Sequence, residues 1–350
     1  MTTDRLKVFV CTPLTPDHCD LVTALEPRID LTVAQDLLPP MRWPGDHEGA
    51  PDFSRTPAEQ ARFDALCDAA DALYGIPDTQ PRALARTVRA NPGLRWVHTM
   101  AAGGGSQVKA SGLTTQEMTG VEFTTSAGAH AETLAEFALF GVLAGAKDLP
   151  RLQRQKADGH WSPRWAMKQV FQMTVVVVGM GNIGRVTAQR FAALGARVIG
   201  VNRTVRDVPG VERVVTPDQL VDVVGEADAL VNTLPQARDT DGLLSAEVFA
   251  RVKPGVIFAS TGRGTCVDED ALVAALIDGR VGFAAMDVFA VEPLPADSPL
   301  WAMENVIVSP HTGALNDGED ELIARMFAEN ARRLLDGEPL LNAIDRVHFY

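Results

Sequence analysis

Short apolar runs recur along the chain at 7–11, 73–76 and 94–98, separated by stretches of mixed polarity that suit helices, and this spacing predicts three buried strands of a small α/β unit. From 175 onward the rhythm becomes regular. Apolar runs at 175–178, 197–201, 229–232, 256–260, 283–288 and 306–308 alternate with helical segments, which predicts a parallel, doubly wound sheet. Residues 131–147 carry Leu134, Phe137, Ala138, Phe140 and Val142, apolar nearly all round, so a helix buried between domains or subunits is expected there. An amphipathic helix over 317–335 closes the pattern.

Local signals agree with these elements. Thr216 followed by Pro217 reads as a helix start, and Asp268 as the cap of a helix running to Leu276. Between 38 and 56 stand Pro39, Pro40, Pro44, Pro51, Gly45 and Gly49, a density of breakers that predicts a surface loop.

At 350 residues the chain suits two domains, and its 46% apolar and 22% charged residues are ordinary for a globular protein. It has no run of apolar residues long enough to span a bilayer, and its N-terminus has no signal-peptide pattern, so a cytoplasmic protein without membrane partners is expected. The net charge of −13 argues against nucleic acid as a partner. Cys11, Cys19, Cys67 and Cys266 are scattered without the spacing of a disulfide framework or a zinc site, and no metal is expected.

Gly179-Met180-Gly181-Asn182-Ile183-Gly184 follows four consecutive valines and opens a helical stretch ending near Leu194. Alone, the hexapeptide is as readily a structural turn. After a strand and before a helix, its glycines permit a tight turn, close backbone approach to a pyrophosphate and close helix packing, so the reading is dinucleotide binding. At the end of the next strand, where an NAD enzyme usually has a carboxylate for the ribose 2′-hydroxyl, stand Asn202, Arg203 and Thr204. A guanidinium there pairs with a 2′-phosphate, which favours NADP(H); with Arg203 as a plain surface residue, NAD(H) remains open.

Further motifs follow in order: Thr233-Leu234-Pro235 with Asp241-Gly242-Leu243-Leu244, Thr261-Gly262-Arg263-Gly264 with Val267-Asp268, Asp287-Val288-Phe289 with Glu292-Pro293, and Ser309-Pro310-His311-Thr312-Gly313. With these the chain resembles, over nearly its whole length, the D-isomer-specific 2-hydroxyacid dehydrogenase family, which includes glyoxylate/hydroxypyruvate reductases and phosphoglycerate dehydrogenases. It departs in having Ser260 and Ser309 where many relatives have asparagine and threonine, and in its long 39–57 loop.

The resemblance implies a Rossmann cofactor domain, 128–316, inserted into a smaller flavodoxin-like α/β substrate domain made of 1–127 plus 317–350. It implies hydride transfer between NAD(P)H and a small 2-oxo acid to give a D-2-hydroxy acid. Such chemistry needs a cation for the carboxylate and ketone, a proton donor and an aligned hydride. Arg263, in a glycine-rich turn just past a strand, would bind substrate; His311 would be the acid/base, oriented by Glu292. Glutamate at 292 sets the chain apart from the family's formate dehydrogenases, which carry glutamine there. The other six histidines have no such company in sequence.

By the same carry-over Leu234, Pro235, Thr261, Gly262 and Gly313 would line the cofactor cleft, and Asp287 would meet the nicotinamide side. The substrate loop would lie in 100–105, with Ala102, Gly103 and Gly104 presenting backbone N–H groups; three adjacent glycines also suit a flexible connection. Trp161 is assigned to packing, and the 131–147 helix to a homodimer. In some relatives the architecture serves a dinucleotide-sensing corepressor, which is the alternative to an enzyme.

Overall fold

The first part of the chain alternates strand and helix. β1 (Leu6–Val10), α1 (Pro16–Leu25), β2 (Ile29–Thr32), α2 (Pro57–Ala69), β3 (Ala72–Tyr74), α3 (Pro81–Ala90), β4 (Trp96–Thr99), α4 (Gly105–Ala110) and β5 (Glu122–Thr125) follow in order. The computed structural model describes residues 5–347 and 349, and among these the five strands form a parallel sheet in the order β2-β1-β3-β4-β5. Strand order reverses between β1 and β3, which makes their carboxyl ends a switch point of the kind that opens a crevice in α/β folds. α2 starts where its sequence demands: Pro57 occupies the first turn, and the Glu59 carboxylate takes the Thr56 N–H at 2.7 Å while Thr56 Oγ1 accepts the Glu59 N–H at 3.3 Å.

The second part holds α5 (Ala131–Ala146), α6 (Leu149–Ala157), β6 (Thr174–Val178), α7 (Asn182–Ala193), β7 (Arg197–Val201), β8 (Arg213–Val215), α8 (Leu220–Val223), β9 (Ala229–Asn232), α9 (Ala246–Arg251), β10 (Val256–Ser260), α10 (Glu269–Ile277), β11 (Val281–Met286) and β12 (Val306–Val308). Its strands are all parallel, in the order β12-β11-β10-β9-β6-β7-β8. The valines of β6 show how both faces become core. Val176 and Val178 pack into one apolar cluster and Val175 and Val177 into another, as successive side chains of a strand must. The Asp268 carboxylate accepts the Ala271 N–H at 3.0 Å and starts α10.

The last helix, α11 (Glu319–Asp336), returns to the first sheet, where Phe327 stacks on Trp96 with ring centroids 4.3 Å apart. The chain thus divides into two compact units, Met1–His130 with Leu315–Tyr350, and Ala131–Ala314.

Several elements differ from expectation. β2, β5 and β8 were not expected, β11 begins at Val281 rather than 283, and α11 begins at Glu319 rather than 317. α5 is not buried all round within the chain: Ala135, Ala138 and Val142 are buried, but Phe140 is 50% exposed. Its close face is set by small residues. A Cβ on Gly141 would lie 2.4 Å from Ala285 Cβ, so the helix rides directly on β11. Trp161, expected to pack, is 97% exposed. The four cysteines are free. Among the described residues no helix is long and apolar enough to cross a membrane.

Candidate functional site

β6 delivers the chain into a turn whose glycines have distinct reasons to be glycine. Gly179 has φ +95°, and a Cβ on Gly184 would sit 1.7 Å from the Gly179 carbonyl oxygen. A Cβ on Gly181 would meet nothing within 4 Å, so the space above the start of α7 is open. There Asn182, Ile183 and Gly184 head a twelve-residue helix whose first N–H groups have no acceptor within the helix. Thr233, at the end of β9, braces the turn: its hydroxyl donates to the Gly179 carbonyl at 2.7 Å. Sequence reasoning quoted Thr233 in a motif without seeing this role.

At the end of β7, Asn202 Oδ1 accepts the Met180 N–H at 3.3 Å and Asn202 Nδ2 donates to the Thr204 carbonyl at 2.9 Å. Arg203 and Thr204 are exposed, and the Arg203 guanidinium lies 4.0 Å from the Asp239 carboxylate.

The remaining candidates of this unit lie at the carboxyl ends of four neighbouring strands, β9 to β12. Arg263 follows β10, half-buried, with Nη1 donating to the Gly262 carbonyl at 2.9 Å. The flanking glycines are there for close approach. A Cβ on Gly262 would lie 2.5 Å from the Leu234 carbonyl oxygen, and one on Gly264 1.9 Å from that of Phe289. The turn after β10 is thereby pressed between the segments after β9 and β11. Thr261, Leu234 and Gly262 are buried in this packing, with the Thr261 N–H donating to Asn232 O at 3.0 Å, while Pro235 is exposed. Asn232 ties the strand ends together: its Nδ2 donates to Ser260 Oγ at 3.1 Å, and its Oδ1 accepts the Leu234 N–H at 3.1 Å. The signal for it was a polar residue ending an otherwise apolar strand.

Glu292, after β11, uses both carboxylate oxygens. Oε1 accepts the Phe289 N–H at 2.9 Å, and Oε2 stands 2.7 Å from His311 Nδ1. His311, after β12, has φ +54°, a left-handed conformation uncommon outside glycine, and its N–H donates to the Ser309 carbonyl at 3.0 Å. Asp287 holds this bend from below. Its Oδ1 accepts from Ser309 Oγ at 2.6 Å, from the Thr312 N–H at 3.0 Å and from the Gly313 N–H at 2.9 Å. Its Oδ2 is buried with no hydrogen-bond partner among the described residues. Gly313 lies against the same carboxylate, where a Cβ would come within 2.9 Å of Oδ2.

Ala102, Gly103 and Gly104 belong to the other unit. Gly104 is buried, and a Cβ there would sit 1.7 Å from Thr99 Oγ1, so packing explains that glycine; Ala102 is half-buried and Gly103 exposed. The same unit gives other histidines partners, some of them remote in sequence. His47 and His130 both meet Glu319, and His98 is fully buried between Thr124 and Ser126.

A parallel sheet with a glycine turn at one strand end, and a histidine–glutamate pair beside an arginine at three others, has the form of a dinucleotide-binding α/β protein. Residues 139–313 match the family model for the NAD binding domain of D-isomer specific 2-hydroxyacid dehydrogenases, and the chain belongs to that family. It is 34% identical over 227 residues to D-3-phosphoglycerate dehydrogenase of Mycobacterium tuberculosis, covering 65% of this chain but only 43% of that one. To glyoxylate/hydroxypyruvate reductase B of Escherichia fergusonii it is 34% identical over 220 residues, covering 61% of this chain and 68% of the relative. A D-isomer specific 2-hydroxyacid dehydrogenase from Xanthobacter autotrophicus Py2, solved with NADPH and MES, superposes with a TM-score of 0.77 at 28% identity, covering 99% of this chain and all of that one.

Proposed function

We propose that the protein reduces a small 2-oxo acid to the D-2-hydroxy acid with a nicotinamide dinucleotide, NADP(H) being favoured over NAD(H). The observation that carries this reading is the 2.7 Å contact between His311 Nδ1 and the Glu292 carboxylate, at the end of the strand beside that of Arg263.

The residues fit the dinucleotide. Open space over Gly181 and the free N–H groups of α7 suit a pyrophosphate cradled by Gly179, Gly181, Asn182, Ile183 and Gly184. The adenosine ribose falls to Asn202, Arg203 and Thr204, and the absence of a carboxylate among them is what favours a 2′-phosphate. Leu234, Pro235, Thr261, Gly262 and Gly313 line the cleft, and the unpartnered Asp287 Oδ2 suits an amide N–H donor. When bound, the nicotinamide supplies the hydride.

The chain's own groups do the rest. Arg263 spends one N–H on Gly262 and offers the remainder of its fork to the carboxylate and ketone. His311, held at Nδ1, turns Nε2 to the substrate; it gives a proton to the developing alkoxide, and the neighbouring Glu292 carboxylate stabilises the imidazolium before transfer. A cytoplasmic homodimer built on the exposed apolar side of α5 belongs to the same reading, and a monomer in light scattering would remove it.

The test is absorbance at 340 nm with NADPH and, separately, NADH against glyoxylate, hydroxypyruvate, phenylpyruvate and 2-oxoisocaproate. Oxidation with one acid supports the enzyme and ranks the cofactors. Silence across the panel with the dinucleotide still bound overturns it in favour of a sensor.

A further inference from the structure

A second cluster of titratable side chains lies in the discontinuous unit. At its centre is Glu319, on the first turn of α11 and 3% exposed. Its Oε1 is 2.8 Å from His130 Nε2 and 3.3 Å from His47 Nε2. His130 is the last residue before the chain leaves this unit, and the chain re-enters at Leu315. One carboxylate oxygen therefore ties the exit of the backbone to the helix that follows its return, and hangs the 39–57 loop from the same point.

The loop is built to be held as a body. Arg42 grips the Asp46 carboxylate with Nε at 2.7 Å and Nη2 at 2.8 Å, and that carboxylate also accepts the Gly49 N–H at 3.0 Å. The Gly45 N–H donates to Asp320 Oδ2 at 3.2 Å, and a Cβ on Gly45 would lie 2.9 Å from Glu319 Oε2. The other side of the loop closes a pocket of about 480 Å³, walled by Arg42, His47, Phe53 and Arg55 with Cys11 beyond β1 and Asp78 beyond β3. That is the switch point of this sheet, where open α/β folds place ligands.

A carboxylate only accepts, so both imidazoles donate to Glu319 through Nε2. In its neutral form His47 then carries a lone pair at Nδ1, 3.8 Å from Asp320 Oδ1, and neither atom has a hydrogen-bond partner among the described residues. A second proton on His47 gives this nitrogen the N–H that the facing carboxylate lacks. Other charged or titratable groups around His47 and the pocket are Arg42, Asp46 and Glu48 on the loop, Arg55 before α2, Cys11 after β1, Asp78 after β3, Tyr74 on β3 and His98 on β4. His98 is held down to about 3, by burial first and then by His47, and Tyr74 is pushed up by burial and by Asp320, so both stay neutral.

We propose that Glu319 and His130 are positioning residues that couple the wall of the switch-point pocket to the two crossings of the chain, and that proton uptake by His47 tightens the coupling. The effect on catalysis rests on the reductase reading; the coupling does not.

Hydrogen exchange on the full chain at about pH 5.5 and about pH 8, corrected for intrinsic rates, tests it. In the unsubstituted protein, amides of 39–57 become roughly tenfold better protected at the lower pH. His47→Gln abolishes that gain, and Glu319→Gln strips protection from both 39–57 and 126–131. In steady state both substitutions raise KM for the preferred 2-oxo acid at least about fivefold, while kcat and the Kd for NADPH stay within about twofold. Unchanged protection in both variants, or protection of the loop that falls toward acid, overturns the coupling; unchanged KM overturns its role in catalysis. If no 2-oxo acid is turned over the reductase reading fails, and the exchange experiment still decides the coupling. Should Glu319→Gln not fold, His47→Gln, which touches the loop arm alone, decides it.

Discussion

Replacing Glu292 by glutamine keeps the shape of the side chain and inverts one hydrogen bond. The Phe289 N–H, now 2.9 Å from Oε1, still needs an acceptor, so the amide oxygen stays there and the NH₂ group turns to His311 Nδ1. An amide NH₂ only donates. The ring must then present a lone pair at Nδ1, which selects the neutral form and withdraws the imidazolium from the reaction. A hydrogen bond to a charged group contributes about 1.5–3 kcal/mol. With the two side chains 43% and 35% exposed, solvent screening puts this one in the lower part of that range. About 2 kcal/mol corresponds to a roughly 30-fold loss in kcat at 1.36 kcal/mol per decade. The assay is NAD(P)H oxidation at 340 nm with the preferred 2-oxo acid, alongside a fluorescence titration of cofactor binding. The loss should fall on kcat, with the cofactor Kd unchanged. A kcat within about twofold of the unsubstituted protein, or a loss matched by weaker cofactor binding, would refute the assignment of His311 as the proton donor.

The glycine turn separates packing from ligand binding. Gly184→Ala forces a Cβ to 1.7 Å from a carbonyl and should cost about 1–3 kcal/mol and several degrees of Tm, whereas Gly181→Ala, with open space around it, should weaken only NADPH binding; equal Tm losses would contradict this. Arg203→Glu should move the NADPH to NADH ratio of kcat/KM toward NADH by about tenfold or more, and an unchanged ratio would remove Arg203 from the 2′-phosphate. Burial alone would raise the Glu319 carboxyl, but the hydrogen bonds from His130 and His47 outweigh it and hold the group at about 2. Its contribution to stability, on the order of 3 kcal/mol, is therefore complete above about pH 4.5 and lost as pH falls from there toward 2. Denaturant unfolding of Glu319→Gln against the unsubstituted chain should show a difference that shrinks across that window; a constant difference would be the wrong result.

The cofactor-binding fold was legible because its strands are buried on both faces and read as unbroken apolar runs. The strands that escaped notice lack that signature, β2 and β8 because they are only partly buried and β5 because its burial is hidden. Thr124 of β5 is completely buried, but its hydroxyl is occupied by Trp96 Nε1 at 2.8 Å and His98 Nδ1 at 2.7 Å, so a core position is written with a polar residue. β8 is an edge strand of three residues, and Arg213 within it belongs to an ion-pair network with Glu212 and Glu226.

The candidate site could be read from sequence where one short motif carries both a residue and its backbone, as around Arg263 and His311. It was not legible where a partner is remote in sequence. His47 and Glu319 are 272 positions apart, and nothing about a histidine in a proline-rich loop announces a buried carboxylate on the last helix. The all-round apolar character of α5 left open which of its faces its own chain covers, and the structure answers that: Ala135, Ala138 and Val142 are enclosed and Phe140 is left at the surface.

The return of α11 also bears on how the chain is made. In the first unit Trp96 and Tyr74 complete their packing against Phe327, a residue synthesised only after the entire intervening unit. The second unit has no such debt, since its ends meet within itself, with Thr133 Oγ1 donating to the Ala314 carbonyl at 3.2 Å. On a ribosome working from the N-terminus, the dinucleotide-binding unit is free to fold first. The segment made earliest waits with its aromatic core open, and it is there that a nascent chain of this protein would call on a chaperone.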